Sequence, residues 1–276
     1  RFNSETTKHL AADLAARLGS PYVTVPIGDF VDRTAEALAS LTISTAAGEK
    51  NLAPTPFMKE NIQARDRSAR ILAALAASFG GVFTCNANKT ELTIGYATLY
   101  GDMAGGAPPP ATADLWKHQV YALGRALNEW FGEAVIPEGI FTIRPSAELS
   151  DAQAVDKGLG DPLAYDYHDY LFRAFVEPWE RKTPEDILRW YAEGTLEKNI
   201  GTPLAAADLF PSPADFIADL EKWWKLFAGF AVAKRIQSPP LLAISRRPYG
   251  YDLRESQLAP YFTDGYLALK ARLLKK

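Results

Sequence analysis

The sequence predicts an α/β fold in which a parallel sheet is flanked by helices, and three observations carry that prediction. The apolar run Val82-Phe83-Thr84-Cys85 is long enough for a buried strand and too short for a helix. A polar break, Asn86-Ala87-Asn88, follows at once, and Asn88 stands three residues before Glu91 at the head of a helix-compatible run, the spacing of an N-cap with its reciprocal carboxylate. Upstream, Tyr22-Val23-Thr24-Val25-Pro26-Ile27 is a second β-rich run set between two helical patterns, giving αβα order. In an open parallel sheet, the turn after a strand lies at the sheet's carboxyl edge, where free amides and the helix dipole favour anions.

Composition sets the bounds. The chain of 276 residues is 47% hydrophobic and 23% charged, the balance of a globular protein of one or two domains with a sizeable core. A formal net charge of -3 argues against a general electrostatic claim on nucleic acid or membranes. The lone cysteine rules out an internal disulfide and points to a reducing compartment; inside its apolar run, Cys85 reads as a structural thiol. No apolar run approaches a membrane span and no signal-peptide pattern opens the text, so the cytoplasm is the expected location. The first residue is Arg1, and helix-forming sequence begins almost at once, so the chain is expected to start inside a longer product.

Taken in order, Ser4 to Leu18 spaces Leu10, Ala11, Leu14 and Leu18 as a helix, with Gly19 and Pro21 as its stop. Asp29 is placed to cap a second helix running to Leu41. Thr42 to Phe57 reads as a long mobile loop, and Asn61 to Phe79 as an amphipathic helix carrying Arg65, Arg67 and Arg70 and ended by Gly80-Gly81. Ala107 to Pro110 reads as a stiff linker, and Asp114 is expected to begin a helix to about Phe131 with Lys117 in its first turn. A lysine there opposes the helix dipole and calls for a carboxylate or a bound anion nearby. Ile136 to Leu149 reads as a β-rich run followed by a helix cap, and the polar stretch Ser150 to Asp161 as a closing loop. Helices are predicted over Asp166 to Val176, Thr183 to Tyr191 and Ser212 to Ile236, with Trp190, Trp223 and Trp224 as core or subunit-contact residues. His9, His118 and His168 lack partners at metal-ligand spacing and read as surface or satisfied core.

Spacing alone leaves Glu91 as either a capping carboxylate or a ligand of a phosphate-bearing metal. A longer match narrows the choice. Asn88-Lys89-Thr90-Glu91-Leu92, followed by GYATLYGDMAGG over residues 95–106, resembles the NKSEL...GY.TLYGDMAGG signature of the NAD synthetases. Glu60 to Arg67, ENIQARDR, is similar to that family's ENIQARIR, with Asp66 at a usually apolar position. IPEGIFTIRPSAEL resembles IPERVLTKPPSAEL, and Lys234-Arg235-Ile236-Gln237-Ser238-Pro239-Pro240 resembles KRRQAPP. The likeness runs from near the first residue to about Asp252.

The resemblance implies a Rossmann-like, adenine nucleotide α hydrolase-like fold of the N-type ATP pyrophosphatases, occupying 1–276 with a helical and irregular extension over 205–276. It implies an ATP-dependent ligase that adenylates deamido-NAD, releases pyrophosphate and admits ammonia, free or from glutamine. Asn86, Lys117 and Ser146 then stand at ATP-binding positions, Asn61, Arg65 and Lys234 at deamido-NAD positions, and Glu91 at a magnesium position; no catalytic residue is singled out. A homodimer or larger oligomer is implied, with neither nucleic acid nor membrane as partner.

Two departures stand out. The family's Thr-Gly before NKSE is Asn86-Ala87 here, and its Ser-Gly-Gly-x-Asp-Ser pyrophosphate loop is found nowhere in these residues. In the family that loop follows the first of two strands in the middle of the sheet, so the loop-bearing strands are expected to lie upstream of Arg1. The isolated piece is then expected not to make NAD, while the whole product does. A non-catalytic nucleotide-binding or assembly module of the same fold, and another ATP pyrophosphatase such as a GMP synthetase, stay open as alternatives.

Overall fold

A computed structural model describes residues 2–101, 111–238, 241–249 and 260–275. The Asp102 to Gly106 end of the family-like stretch, the Ala107 to Pro110 linker, Pro239-Pro240 and residues 250–252 lie outside the described residues. In chain order the elements are α1 Glu5–Arg17, α2 Gly28–Ala39, β1 Thr42–Thr45, β2 Gly48–Asn51, α3 Pro56–Arg65, a π-helical segment Asp66–Leu72, α4 Ala73–Phe79, α5 Lys89–Ile94, α6 Lys117–Phe131 and α7 Glu138–Thr142. They continue with 3₁₀ turns at Asp151–Gln153 and Val155–Lys157, then α8 Tyr165–Val176, α9 Pro184–Ala192, α10 Leu196–Ile200, α11 Ala206–Leu209, α12 Pro213–Ala228, α13 Phe230–Ile236 and α14 Asp264–Leu274. They group into two compact units: residues 1–83, 100–106 and 121–162 in the first, and 84–99, 107–120 and 163–276 in the second.

In the first unit, Ser4 caps α1 by accepting the Thr7 amide at 3.1 Å. α2 starts one residue ahead of Asp29, which lies in the first turn, where its charge suits the dipole, and does not act as the cap. Residues 42–51 form an antiparallel hairpin where a loop was predicted, with Thr42 opposite Asn51 and Thr45 opposite Gly48. Its β-branched residues favour the extended backbone, and Gly48 takes φ 111 while Thr45 Oγ1 donates to its carbonyl at 2.7 Å. The predicted Asn61 to Phe79 helix begins earlier, at Pro56 behind the Thr55 cap, and widens into π-helix where Asp66 takes a two-pronged ion pair from Arg70 (2.5 and 2.7 Å).

The parallel sheet is not present among the described residues. Residues 21–27 belong to no ladder, with Tyr22, Val23 and Val25 exposed, and the 82–85 run keeps only an isolated bridge at Thr84. A strand exists only where a neighbour takes its amides and carbonyls, so an apolar run alone does not make one. The β-rich run after Ile136 is likewise replaced by the short helix α7. There the Asn128 side chain takes the Ile136 amide at 2.8 Å and donates to its carbonyl at 2.9 Å, using the groups a ladder would need.

The second unit is helical. Tyr167, Leu171, Phe172 and Phe175 of α8 meet Phe216, Leu220, Trp223 and Trp224 of α12 in its buried core, with Phe175 edge-on to Trp224 at 5.2 Å. Trp223 and Trp224 are core as predicted, while Trp190 is partly exposed. The single helix predicted to Ile236 breaks at Gly229 (φ -108, ψ -117), where a side chain would strike the Lys225 carbonyl, giving α12 and α13. None of the described helices is long and apolar enough to cross a membrane.

Candidate functional site

The turn into α5 is built as its spacing predicts. Asn88 Oδ1 accepts the Glu91 amide at 3.1 Å, and Glu91 Oε2 accepts the Asn88 amide at 3.1 Å, a closed capping box. Asn88 is buried and Glu91 half-buried. Just before them, Asn86 is exposed and its Oδ1 takes the Thr84 hydroxyl at 3.0 Å, while Thr112 Oγ1 lies 3.3 Å from each of the Asn86 and Ala87 carbonyls.

The other end of α5 is closed by α13. Gly95 stands at φ 66, and a Cβ there would lie 2.8 Å from the Ala231 Cα. Lys234 Nζ donates to the Gly95 carbonyl at 2.7 Å, and burial pushes this ammonium below the usual lysine range. Arg235 reaches the Leu92 and Thr93 carbonyls at 3.3 and 2.7 Å. Two cations thus gather on the carbonyls at the C-terminal end of α5, where the helix dipole favours positive charge, although Gly95 O also accepts the Ala97 amide at 2.8 Å.

Between these ends lie residues that periodicity did not single out. The Lys89 side chain is wholly buried, donating to Asp114 Oδ1 at 2.9 Å and Ser245 Oγ at 2.8 Å, with Glu177 Oε1 3.6 Å away. Asp114 is therefore no helix cap: it also accepts the Ile244 amide at 2.7 Å, the Ser245 amide at 2.5 Å and the Ser245 hydroxyl at 2.7 Å. Burial alone would raise its carboxyl, but the Ser245 amide, Lys89 and the remaining donors together hold it below the ordinary aspartate value. α6 begins at Lys117, and its first amides already have acceptors. Gln119 takes the Trp116 amide (2.9 Å), Thr90 Oγ1 the Lys117 amide (3.1 Å), and Asp169 Oδ2 the His118 amide (2.8 Å). Asp169, fully buried, also accepts the Thr90 hydroxyl through Oδ1 and pairs with His118 Nδ1 at 2.8 Å through Oδ2. The Lys117 ammonium lies 5.6 Å from the centre of the Tyr165 ring.

In the first unit, Asn61 and Arg65 stand one turn apart on α3, Asn61 donating to the Phe57 carbonyl at 2.8 Å and Arg65 exposed. Ser146 lies in the loop after α7, where its hydroxyl donates to the Gln153 carbonyl at 2.7 Å and accepts the Glu148 amide at 3.1 Å. Glu148 holds a left-handed backbone (φ 46), and its buried carboxylate takes the Ser4 amide (2.9 Å), the Thr7 hydroxyl (2.7 Å) and the Asn3 side chain (3.2 Å). Asn86, Glu91, Lys117 and Lys234 thus fall in the second unit around α5, and Asn61, Arg65 and Ser146 in the first. Lys89, Thr90, Asp169 and Glu148 escaped the sequence reading as site residues, and Asp114 reads there only as the start of a helix. The one local signal was Lys89-Thr90 enclosed within the capping box.

His118 and His168 are satisfied, as their isolation in the sequence suggested: His168 takes the Ala164 amide at 2.9 Å and meets Asp219 at 3.0 Å. Among the described residues, no group of three or more His, Cys, Asp and Glu side chains is gathered for a metal.

Residues 1–200 match the model of the NAD synthase family. The chain belongs to that family. The glutamine-dependent NAD(+) synthetase of Thermotoga maritima is 36% identical over 186 residues, covering 67% of this chain and 30% of that protein. The glutamine-dependent NAD(+) synthetase of Xanthomonas campestris is 30% identical over 254 residues, 92% of this chain and 39% of the relative. The chain therefore spans about a third of the length of these NAD synthase relatives. The crystal structure of a glutamine-dependent NAD(+) synthetase from Cytophaga hutchinsonii matches 99% of this chain and 39% of its own, with a TM-score of 0.64 at 17% identity, and shows a shared fold.

Proposed function

We propose that this chain is the ligase portion of an ATP-dependent NAD(+) synthase. In the reaction a carboxylate oxygen of deamido-NAD attacks the α-phosphorus of ATP and the bond to pyrophosphate breaks. Ammonia then attacks the acyl carbon, AMP leaves, and the nitrogen loses a proton to give the amide. The observation that carries the reading is the closed turn from Asn86 to Glu91 within a chain of the NAD synthase family.

Asn86, Lys117 and Ser146 are assigned to ATP, Asn61, Arg65 and Lys234 to deamido-NAD. Arg65 has the planar fork suited to a phosphate or carboxylate, and its exposed place on α3 leaves it reachable. Because the first amides of α6 are already taken, Lys117 acts through its side chain as a point charge on phosphate. Lys234 is assigned to the nicotinate carboxylate, and its half-buried place on the Gly95 carbonyl supports this, since an ammonium already partly desolvated loses less on contact.

Magnesium is held by one or two protein carboxylates together with substrate phosphates and water, so Glu91 fits it as a protein ligand. When bound, it neutralises charge on the departing pyrophosphate. Ammonia drawn from glutamine, a cytoplasmic location and a homodimer or larger oligomer complete the proposal, the first supported by the names of the relatives.

Glu91→Gln in the full-length protein tests it. A glutamine oxygen still accepts the Asn88 amide, so the cap survives and stability stays within about 1 kcal/mol of wild type. Deamido-NAD-dependent exchange of pyrophosphate into ATP should fall at least about 100-fold, the scale of a lost charge-stabilising contact. Exchange at the wild-type rate would leave Glu91 a cap alone and remove the support for this function.

A further inference from the structure

Thr90 occupies a junction that the capping box does not explain. Its hydroxyl accepts the Lys117 amide at 3.1 Å and donates to Asp169 Oδ1, while Asp169 Oδ2 takes both the His118 amide and His118 Nδ1 at 2.8 Å. Thr90 and Asp169 are fully buried, and Thr90 directly precedes Glu91. Water does not reach such a pair, so each partner depends on the other for its hydrogen bonds. The first turn of α6, with Lys117 at its head, is thereby latched to the first turn of α5 and to α8.

We propose that Thr90 is a positioning residue for nucleotide binding: through its bonds to the Lys117 amide and Asp169, it fixes the lysine relative to Glu91. The inference rests on the reading of Lys117 as a phosphate contact. Asp169 works through Thr90 and His118 and is likewise a positioning residue. Serine keeps the hydroxyl at position 90, and valine keeps the shape without it.

Two measurements on the full-length protein decide the matter. First, amide hydrogen exchange at Lys117 should remain slow in wild type and Thr90→Ser and become fast in Thr90→Val. Slow exchange in Thr90→Val overturns the latch whatever the activity shows. Second, Thr90→Val should raise KM for ATP at least about 10-fold, the effect of leaving one buried polar group unpaired, and leave KM for deamido-NAD within about twofold. Thr90→Ser should restore KM for ATP. A general loss of stability would move both KM values or neither, and either outcome overturns the positioning role. Should Thr90→Val not fold, Asp169→Asn removes an acceptor and keeps the packing, and the same split in KM supports or overturns the proposal. Lys117→Ala separates the underlying reading: an unchanged KM for ATP in that variant refutes the phosphate contact, and the positioning role falls with it, while the exchange result still judges the latch.

Discussion

Replacing Lys89 by methionine asks how much of this structure rests on one buried cation. Its ammonium sits 2.9 Å from Asp114 Oδ1 and 2.8 Å from Ser245 Oγ, with the Lys89 and Asp114 side chains both wholly buried. Methionine is an unbranched chain one atom shorter and supplies no charge, so Asp114 is left as a buried anion. At an effective dielectric near 20, a pair at this separation is worth roughly 6 kcal/mol before desolvation is counted. Two effects reduce the loss. Asp114 retains the Ile244 and Ser245 amides and the Ser245 hydroxyl, and the cost of burying the lysine is recovered. A loss of about 3–5 kcal/mol is expected, the range for breaking one side of a buried pair. Denaturant unfolding measures it, with the midpoint moving and the slope unchanged. Adding Asp114→Asn, which removes the stranded charge and keeps an acceptor for the two amides, should recover about 1–3 kcal/mol of it. A loss below about 1 kcal/mol for Lys89→Met would refute the argument, because it would mean that water or a moved partner already satisfies Asp114.

Three further outcomes follow from the same geometry. Gly95→Ala should cost about 2–4 kcal/mol, the sum of a left-handed backbone and a collision with α13, seen as a lower midpoint in thermal or denaturant unfolding. Asp114 has its folded pKa depressed, so its contribution is complete above the ordinary aspartate value and lost as pH falls through the folded one; Asp114→Asn should flatten the acid limb of stability against pH. Glu148→Ala removes the acceptor of the Ser4 amide and the Thr7 hydroxyl and should speed amide exchange in the first turn of α1, with a stability loss of about 1–3 kcal/mol.

What the sequence disclosed was what is decided locally. The helices predicted from Thr183 and Ser212 start behind those residues as caps, Gly80 ends its helix at φ 79, and the Asn88 to Glu91 box closes on itself, because each depends on residues three or four positions apart. What it misjudged depends on a distant partner. Residues 22–27 and 82–85 have strand composition and no ladder, and Ile136 spends its backbone groups on Asn128. Asp114 has the composition of a cap, yet its bonds are made with Lys89 and with residues 244 and 245, far away in the chain. The site divides in the same way: the motif residues were legible one by one, and the buried polar groups that hold them were not.

Those hidden groups explain how α5 exists at all. It has six residues, well short of the roughly 12–15 that an isolated helix needs even with favourable composition, so local propensity cannot be what keeps it wound. Its first turn is held by the Asn88 and Glu91 bonds, by Lys89 on Asp114 and by Thr90 on Asp169; its last turn is held by Gly95 against Ala231 and by Lys234 and Arg235 on the carbonyls. Thr93 adds a bond to Tyr249 at 2.8 Å from the buried side. Leu92 and Ile94 are its only buried apolar side chains, so a helix this short has little apolar area from which to recover when one polar anchor is removed. The direction of the Glu91 carboxylate therefore depends on bonds made by buried residues around it, and damage at Lys89, Thr90 or Arg235 should reach Glu91 before it reaches the aromatic core between α8 and α12.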